Sequence, residues 1–269
     1  MDCPITNFGL AGRIAVVTGG ARRLGNRMAR ALASQGAAVA ILSRNEQDAA
    51  QAAEELASTY DVPAVGLAAD VTSPASLASA REMITARLGT PDILVNNAGG
   101  TLGASPRHLF ERDPEDIRAM IEVNLLGTIL ATREFGPGMV GKGYGKIINV
   151  ASVAGLIGRD RRVYQQAGLA PQPVEYAASK AGVIGFTIDC AGLLGPDGVR
   201  VNAISPGGFA RETMLPAFRE AYSERTALGR MGDIPGSDLD GAVIYLASAA
   251  SDYVTGHNLV VDGGFSFWK

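Results

Sequence analysis

The chain has 269 residues, 47% hydrophobic and 19% charged, which is core material for one α/β domain and excludes a disordered chain. Its 34 glycines are scattered among apolar runs without a period, so they point to tight strand-to-helix turns and exclude a collagen-like chain. A net charge of −3 without long runs of one sign leaves no electrostatic footprint for nucleic acid or an anionic membrane, so the expected partner is a small molecule.

Cys3 and Cys190 are far apart and lack a metal-like His/Cys spacing, which argues against a disulfide framework or a metal site and for a reducing cytoplasm. Met1 to Gly12 carries Asp2 and no basic-then-apolar pattern, and no apolar stretch is read as approaching the ~20 residues that span a bilayer. Neither export nor anchoring is expected.

Arg13 to Thr18 is a β-branched run that enters Gly19-Gly20-Ala21-Arg22-Arg23-Leu24-Gly25, followed by an amphipathic stretch from Asn26 to Gln35. This reads as strand, tight turn and helix, in which glycines let the backbone approach a pyrophosphate met by free N–H groups and the helix dipole. An ordinary glycine-rich turn has the same look. The second strand, Ala37 to Leu42, ends in Ser43-Arg44-Asn45, where a dinucleotide-binding fold that prefers NAD places an acid for the ribose 2′-hydroxyl. No acid is there. Ser43 and Arg44, with Arg22 or Arg23, offer donors and positive charge suited to a 2′-phosphate, so NADP is expected over NAD; solvated loop charge is the alternative.

A helix is predicted over Glu46 to Tyr60 and a strand over Ala64 to Ala69, closing on Asp70-Val71. Asp70, at a strand's C-terminal end, is placed either to bond an adenine amino group or to cap the helix that begins near Ser73-Pro74. The next strand, Asp92 to Asn96, runs into Asn97-Ala98-Gly99-Gly100 and makes the fourth β-α alternation, so a doubly wound parallel sheet is expected. Further on, Tyr176 and Lys180 lie four residues apart in a helical run, on one face and one turn apart. A phenol titrates near ~10, and an ammonium beside it stabilises the phenolate, as proton exchange at neutral pH requires.

Together these residues resemble the short-chain dehydrogenase/reductase family. Thr18, Gly19 and Gly25 match its first motif, Asn96 to Gly99 its second, and Asn124, Ser152, Tyr176 and Lys180 follow in the family's order, so the likeness runs nearly end to end. It implies a single Rossmann-type domain over residues 1–269 and an oxidoreductase that moves a hydride between NAD(P)(H) and a ketone or secondary alcohol. In that scheme Ser152 bonds the substrate oxygen, Tyr176 exchanges its proton, Lys180 lowers the Tyr176 pKa and holds the nicotinamide ribose, and Asn124 holds a relay water; read by itself, Asn124 is a buried helix residue satisfying backbone groups. The cofactor is expected against Gly19, Arg22, Arg23, Leu24, Gly25, Ser43, Arg44, Asn45, Asp70, Val71, Asn97, Ala98, Gly99, Tyr176, Lys180, Pro206, Gly207 and Gly208. Ser179 reads as helix packing, and Tyr164 is rejected as the catalytic tyrosine because Gly168 stands where a lysine is needed.

The chain departs from the family pattern at three places. Arg23 stands at the usual middle glycine of the first motif, to reinforce a 2′-phosphate site or point to solvent. The separation of Ser152 from Tyr176 is about twice the usual, so residues about 156–175 read as an inserted loop without obvious structure. Its Arg159, Arg161 and Arg162 either attract a substrate carboxylate or phosphate or are surface decoration. After Pro206-Gly207 the usual threonine is displaced, and Glu212 to Ala227 is expected to form a helical lid within residues about 208–236.

Asp240 to Ala249 and Asn258 to Gly264 read as a last helix and strand, which in the family bury the main interface of a homo-oligomer, usually a tetramer. The aromatic tail, Phe265 to Lys269, is expected to pack on the lid or a neighbouring subunit. The Pro-Gly turn and the text from Arg225 to Gly232 resemble gluconate 5-dehydrogenase-like and other sugar and polyol oxidoreductases, which favours a sugar acid or polyol substrate. A 3-oxoacyl thioester reductase is the nearest rival. A nucleotide-sugar epimerase lacks chain for a substrate domain, and a non-catalytic cofactor-binding regulator is opposed by the intact Ser152, Tyr176 and Lys180.

Overall fold

Strands β1 (Ile14–Thr18), β2 (Ala38–Ser43) and β4 (Ile93–Asn96) are mostly apolar runs, and β5 (Gly145–Val150) and β6 (Val199–Pro206) add buried polar residues such as Lys146, Asn149 and Asn202; all five are almost continuously buried, as a parallel sheet covered on both faces demands. With β3 (Ala64–Ala68) and β7 (Asn258–Val261) at the edges they form a seven-stranded, wholly parallel sheet in the order β3-β2-β1-β4-β5-β6-β7. The computed structural model describes residues 8–101, 108–170, 172–233 and 236–268. Cys3 and Lys269 therefore lie outside the described residues, as do Pro171 in the insert and Ile234 and Pro235 in the lid.

Side chains alternate between two cores with the period of a strand. Ala15, Val17, Val39, Ile41, Ile93 and Val95 face α1 (Arg23–Ser34), α2 (Glu46–Tyr60) and α9 (Asp240–Ala247). Val16, Ala40, Leu42, Leu94 and Ile147 face α3 (Pro74–Arg87), α5 (Gly127–Lys142) and α7 (Val174–Leu194). Order reverses at β1, where connections leave to both sides. Ligands bind at the strand C-terminal ends beside such a reversal.

Several boundaries differ from expectation. Helix α1 begins at Arg23 rather than Asn26, because Arg23 itself takes a left-handed φ of 53° to turn the chain into the helix. That φ accounts for the glycine usual at this place and costs an arginine about 1–2 kcal/mol. Ser73, not Asp70, caps α3, its hydroxyl accepting from the Ser76 amide with Pro74 in the first turn. The lid helix is shorter than Glu212 to Ala227: α8 spans Pro216–Ser223, with Pro216 opening it.

The insert contains a helix, α6 (Arg161–Gln166), capped by Asp160, and does not run as a structureless loop. Helix α7, at 21 residues, is long and apolar enough to cross a bilayer by length and composition, which corrects the expectation that no stretch is. Here its Val183, Cys190 and Ala191 pack into the sheet's cores and its Lys180 is buried.

Candidate active site

The first βα turn is braced from behind. The Asn97 side chain donates to the carbonyls of Thr18 and Gly19 at 3.0 and 3.1 Å, while the Thr18 hydroxyl accepts from the Asn97 and Ala98 amides. Gly19 takes a φ of 63°, and a Cβ at Gly25 would lie 2.3 Å from both the Asn97 amide nitrogen and the Gly19 carbonyl. No side chain caps α1. Its first-turn N–H groups and dipole therefore face the cavity, and glycines leave room for a pyrophosphate to reach them, so the residues present fit a dinucleotide.

Beyond this turn, Arg22 pairs with Asp48 of α2 at 2.8 Å, an acid missed in the sequence because it lies in a helix rather than at the end of β2. Arg44 is exposed at the end of β2, and the Asn45 side chain caps α2. Asp70 accepts at Oδ1 from the Thr72 amide and hydroxyl, which hold its carboxyl below the ordinary value with help from Arg44.

One cavity of about 1250 Å³ joins this end to the centre of the molecule. Every residue expected to touch cofactor lines it, from Gly19, Arg22, Arg23, Leu24 and Gly25 through Ser43, Arg44, Asn45, Asp70 and Val71 to Asn97, Ala98, Gly99, Pro206, Gly207 and Gly208. Ser152, Tyr176 and Lys180 line it too. Asn124 does not: it lies behind the glycines, in a wide π-type turn at 122–126, where its amide donates to Gly100 and Met120 carbonyls and accepts from the Gly100 amide. Its side chain is thus spent on backbone.

The Lys180 ammonium is buried and donates to the Val150 carbonyl at 2.6 Å, and burial pulls it down to about 8. Ser152, whose Oγ accepts from the Ala154 amide, lies near enough to the Tyr176 phenol to favour its ionised form. Burial pushes the Tyr176 phenol up, and the opposing influences are the Ser152 hydroxyl and the charges of Arg159 and Arg211. The guanidinium of Arg159 is 5.2 Å from the Tyr176 ring centre and the Lys180 ammonium 5.9 Å. The cation expected to act on the phenol was Lys180; the charges that act on it in the structure are those of Arg159 and Arg211. The Ser179 hydroxyl bonds the Tyr176 carbonyl, as a packing residue does.

Insert and lid close the cavity together. Val163 and Tyr164 of α6 pack with Ala210, Phe218, Tyr222 and Met231, and Asp160 is tied to Arg225 at 2.8 Å. Of the insert's three arginines, only Arg159 lines the cavity: Arg161 bonds the Gln172 carbonyl, and Arg162 is an exposed partner of Asp160. The Gly208 amide donates to the Tyr222 hydroxyl at 2.6 Å, so it is committed to the lid. Phe265 stacks on Tyr222 at 4.3 Å, while Phe267 and Trp268 are exposed. The N-terminus of α7 is fixed by a buried pair that sequence reading missed, Arg112 with Glu175, the neighbour of Tyr176.

A family model described as enoyl-(acyl carrier protein) reductase matches residues 19–266. The chain belongs to the short-chain dehydrogenase/reductase family. This short-chain dehydrogenase/reductase is 34% identical over 258 residues to the 3-oxoacyl-(acyl-carrier-protein) reductase FabG of Aquifex aeolicus, covering 95% of this chain and 98% of that one. It is 35% identical over 268 residues to galactitol 2-dehydrogenase (L-tagatose-forming) of Cereibacter sphaeroides, covering 98% of each. Among solved structures, a gluconate 5-dehydrogenase from Burkholderia cenocepacia J2315 in complex with NADP and tartrate superposes with a TM-score of 0.86 at 36% identity, covering 96% of this chain and 97% of that one. The protein is accordingly an oxidoreductase with a Rossmann-type, NAD(P)-binding fold.

Proposed function

We propose that this short-chain dehydrogenase/reductase transfers hydride reversibly between NADP(H), in preference to NAD(H), and a ketone or secondary alcohol on a small polar substrate, with a sugar acid or polyol favoured. The reading is carried by one observation: Ser152, Tyr176 and Lys180 share a cavity with the glycine turn and Arg44. The nicotinamide, when bound, gives or accepts the hydride.

The chain's own groups do the rest. Ser152 holds the substrate oxygen, the Tyr176 hydroxyl passes its proton to that oxygen in reduction and takes it back in oxidation, and Lys180 holds positive charge beside the pair. Asn124 acts by fixing the Gly99-Gly100 backbone at the cavity wall. The turn from Gly19 to Gly25 takes the pyrophosphate, and Arg44 with Ser43 takes a 2′-phosphate. The relatives named for galactitol and gluconate support the substrate class, and the neighbour holding NADP supports the coenzyme. A second reading, reduction of a 3-oxoacyl thioester, is favoured by the Aquifex relative. We also propose a homo-oligomer, a tetramer, joined through α9 and β7, whose Val260 is exposed at the sheet edge.

The test follows nicotinamide absorbance with NADPH and NADH over keto-sugar acids, keto-sugars and an acetoacetyl thioester. Tyr176→Phe is expected to lose about 10²–10⁴-fold. Arg44→Ala is expected to raise the KM for NADPH roughly tenfold or more and leave that for NADH unchanged, from the roughly 1.5–3 kcal/mol of a charge-assisted bond. Turnover by Tyr176→Phe at the wild-type rate overturns the mechanism, and preference for NADH overturns the coenzyme assignment.

A further inference from the structure

The insert holds a cation, Arg159, beside Tyr176 that forms no ion pair among the described residues. Arg159 Nη1 donates to the carbonyls of Gln172 and Pro173, each at 3.1 Å, which locks the side chain in place. Its Nη2 is buried and has no hydrogen-bond partner among the described residues. An unsatisfied buried donor on a charged group is costly and calls for an acceptor, and Arg159 is a wall residue of the cavity into which one would enter. Of the nearby carboxylates among the described residues, Asp160 is engaged with Arg162 and Arg225, and Glu175 is paired with Arg112 through Oε1, its Oε2 unpartnered and its charge reaching Arg159 without an ion pair. Glu212 also lines the cavity, but from its exposed lid segment. Arg211 lines the same cavity from that lid, and its charge acts on the Tyr176 phenol in the same direction as that of Arg159.

Resting on the oxidoreductase reading, we infer that Arg159, assisted by Arg211, is the specificity-determining clamp for a carboxylate on the substrate, which must be a keto acid or hydroxy acid whose reacting carbon lies beside Tyr176. The planar guanidinium fork matches a carboxylate, and Arg159 offers it from a fixed side chain, so little ordering is needed at binding. Burial lowers the pKa of Arg159, and an incoming anion restores what burial removes. Anchored on the backbone ahead of α7, the clamp also sets the distance from carboxylate to Tyr176.

The experiment compares keto acids with their own methyl esters, 5-keto-D-gluconate among them, in wild type, Arg159→Met, Arg159→Lys and Arg211→Gln. Wild type is expected to favour the acid over the ester by at least tenfold in kcat/KM. Arg159→Met should abolish that preference, the acid losing at least tenfold more kcat/KM than the ester and mainly through KM, Arg159→Lys should restore part of it, and Arg211→Gln should reduce it. Unchanged discrimination in Arg159→Met overturns the clamp, and so does equal loss for acid and ester in both Arg159→Met and Arg159→Lys.

Calorimetric titration of 5-keto-D-gluconate into Tyr176→Phe and into Tyr176→Phe/Arg159→Met separates the clamp from the chemistry. A tenfold weaker binding in the double variant supports the clamp even if no carbonyl compound is turned over, in which case only the oxidoreductase reading fails. Equal binding overturns the clamp even where neutral ketones are reduced.

Discussion

The Arg112–Glu175 pair fixes the start of α7 next to Tyr176, and cutting it has a calculable cost. Arg112 Nε and Nη2 lie 2.8 and 2.7 Å from Glu175 Oε1, and the two side chains are only 1% and 5% exposed. Arg112→Met leaves a buried carboxylate without its cation, a loss of about 3–5 kcal/mol against a total stability of about 5–15 kcal/mol. At about 2–4 °C per kcal/mol, the melting temperature falls by roughly 6–20 °C. Glu175→Gln falls at the low end, since Arg112 keeps its bond to the exposed Asp116 at 3.3 Å. Replacing both by Met removes the uncompensated charge together with its partner and returns stability to within about 2 kcal/mol of wild type. Urea titration by circular dichroism at fixed protomer concentration measures all four proteins. Singles within about 1 kcal/mol of wild type refute the burial of the pair. A double variant no better than the worse single shows that packing, not charge, is what was lost.

Two further outcomes follow from the same geometry. The Tyr176–Lys180 pair should lose its first proton near the value of about 8 assigned to Lys180, so kcat/KM for alcohol oxidation should rise with pH through that value. The residual rate of Lys180→Met should rise only at higher pH, and an unmoved limb removes Lys180 from the titrating pair. The sign for stability agrees: folding depresses this lysine from 10.5 to about 8, so between those values the unfolded chain holds more proton and stability increases with pH. Gly25→Ala places a methyl 2.3 Å from the Asn97 amide and the Gly19 carbonyl, and the 1–3 kcal/mol typical of overpacking, ~5- to 150-fold, should appear as weaker coenzyme binding by fluorescence titration. Undiminished affinity would show that the turn does not hold the pyrophosphate.

Much of the frame was legible before any coordinates. Buried parallel strands read as continuous apolar runs, so β1, β2 and β4 stood out, and glycines at their ends marked where backbone must pass close to something. Helix ends were less legible because they turn on single caps. Ser73 took the role that Asp70 was equally suited to by residue type, and the left-handed Arg23 moved the start of α1 by three residues. Residues 161–166 were read as loop because a short helix leaves little periodicity, and what stabilises it is contact with the lid around Val163 and Tyr164.

By itself the sequence determined the family, the wholly parallel doubly wound sheet and the residues that meet at its strand ends, because local backbone chemistry and period-two burial are written in neighbouring residues. Only the tertiary structure decided how the side chains are spent. It paired Arg112 with Glu175 across 63 positions and Asp160 with Arg225 across 65, committed the Gly208 amide to Tyr222, and turned Asn124 toward backbone. It also separated Arg159 from Arg161 and Arg162, which look alike in the sequence, by leaving one buried nitrogen without an acceptor beside Tyr176. Charge partners chosen by folding over such separations leave no periodic trace in the chain.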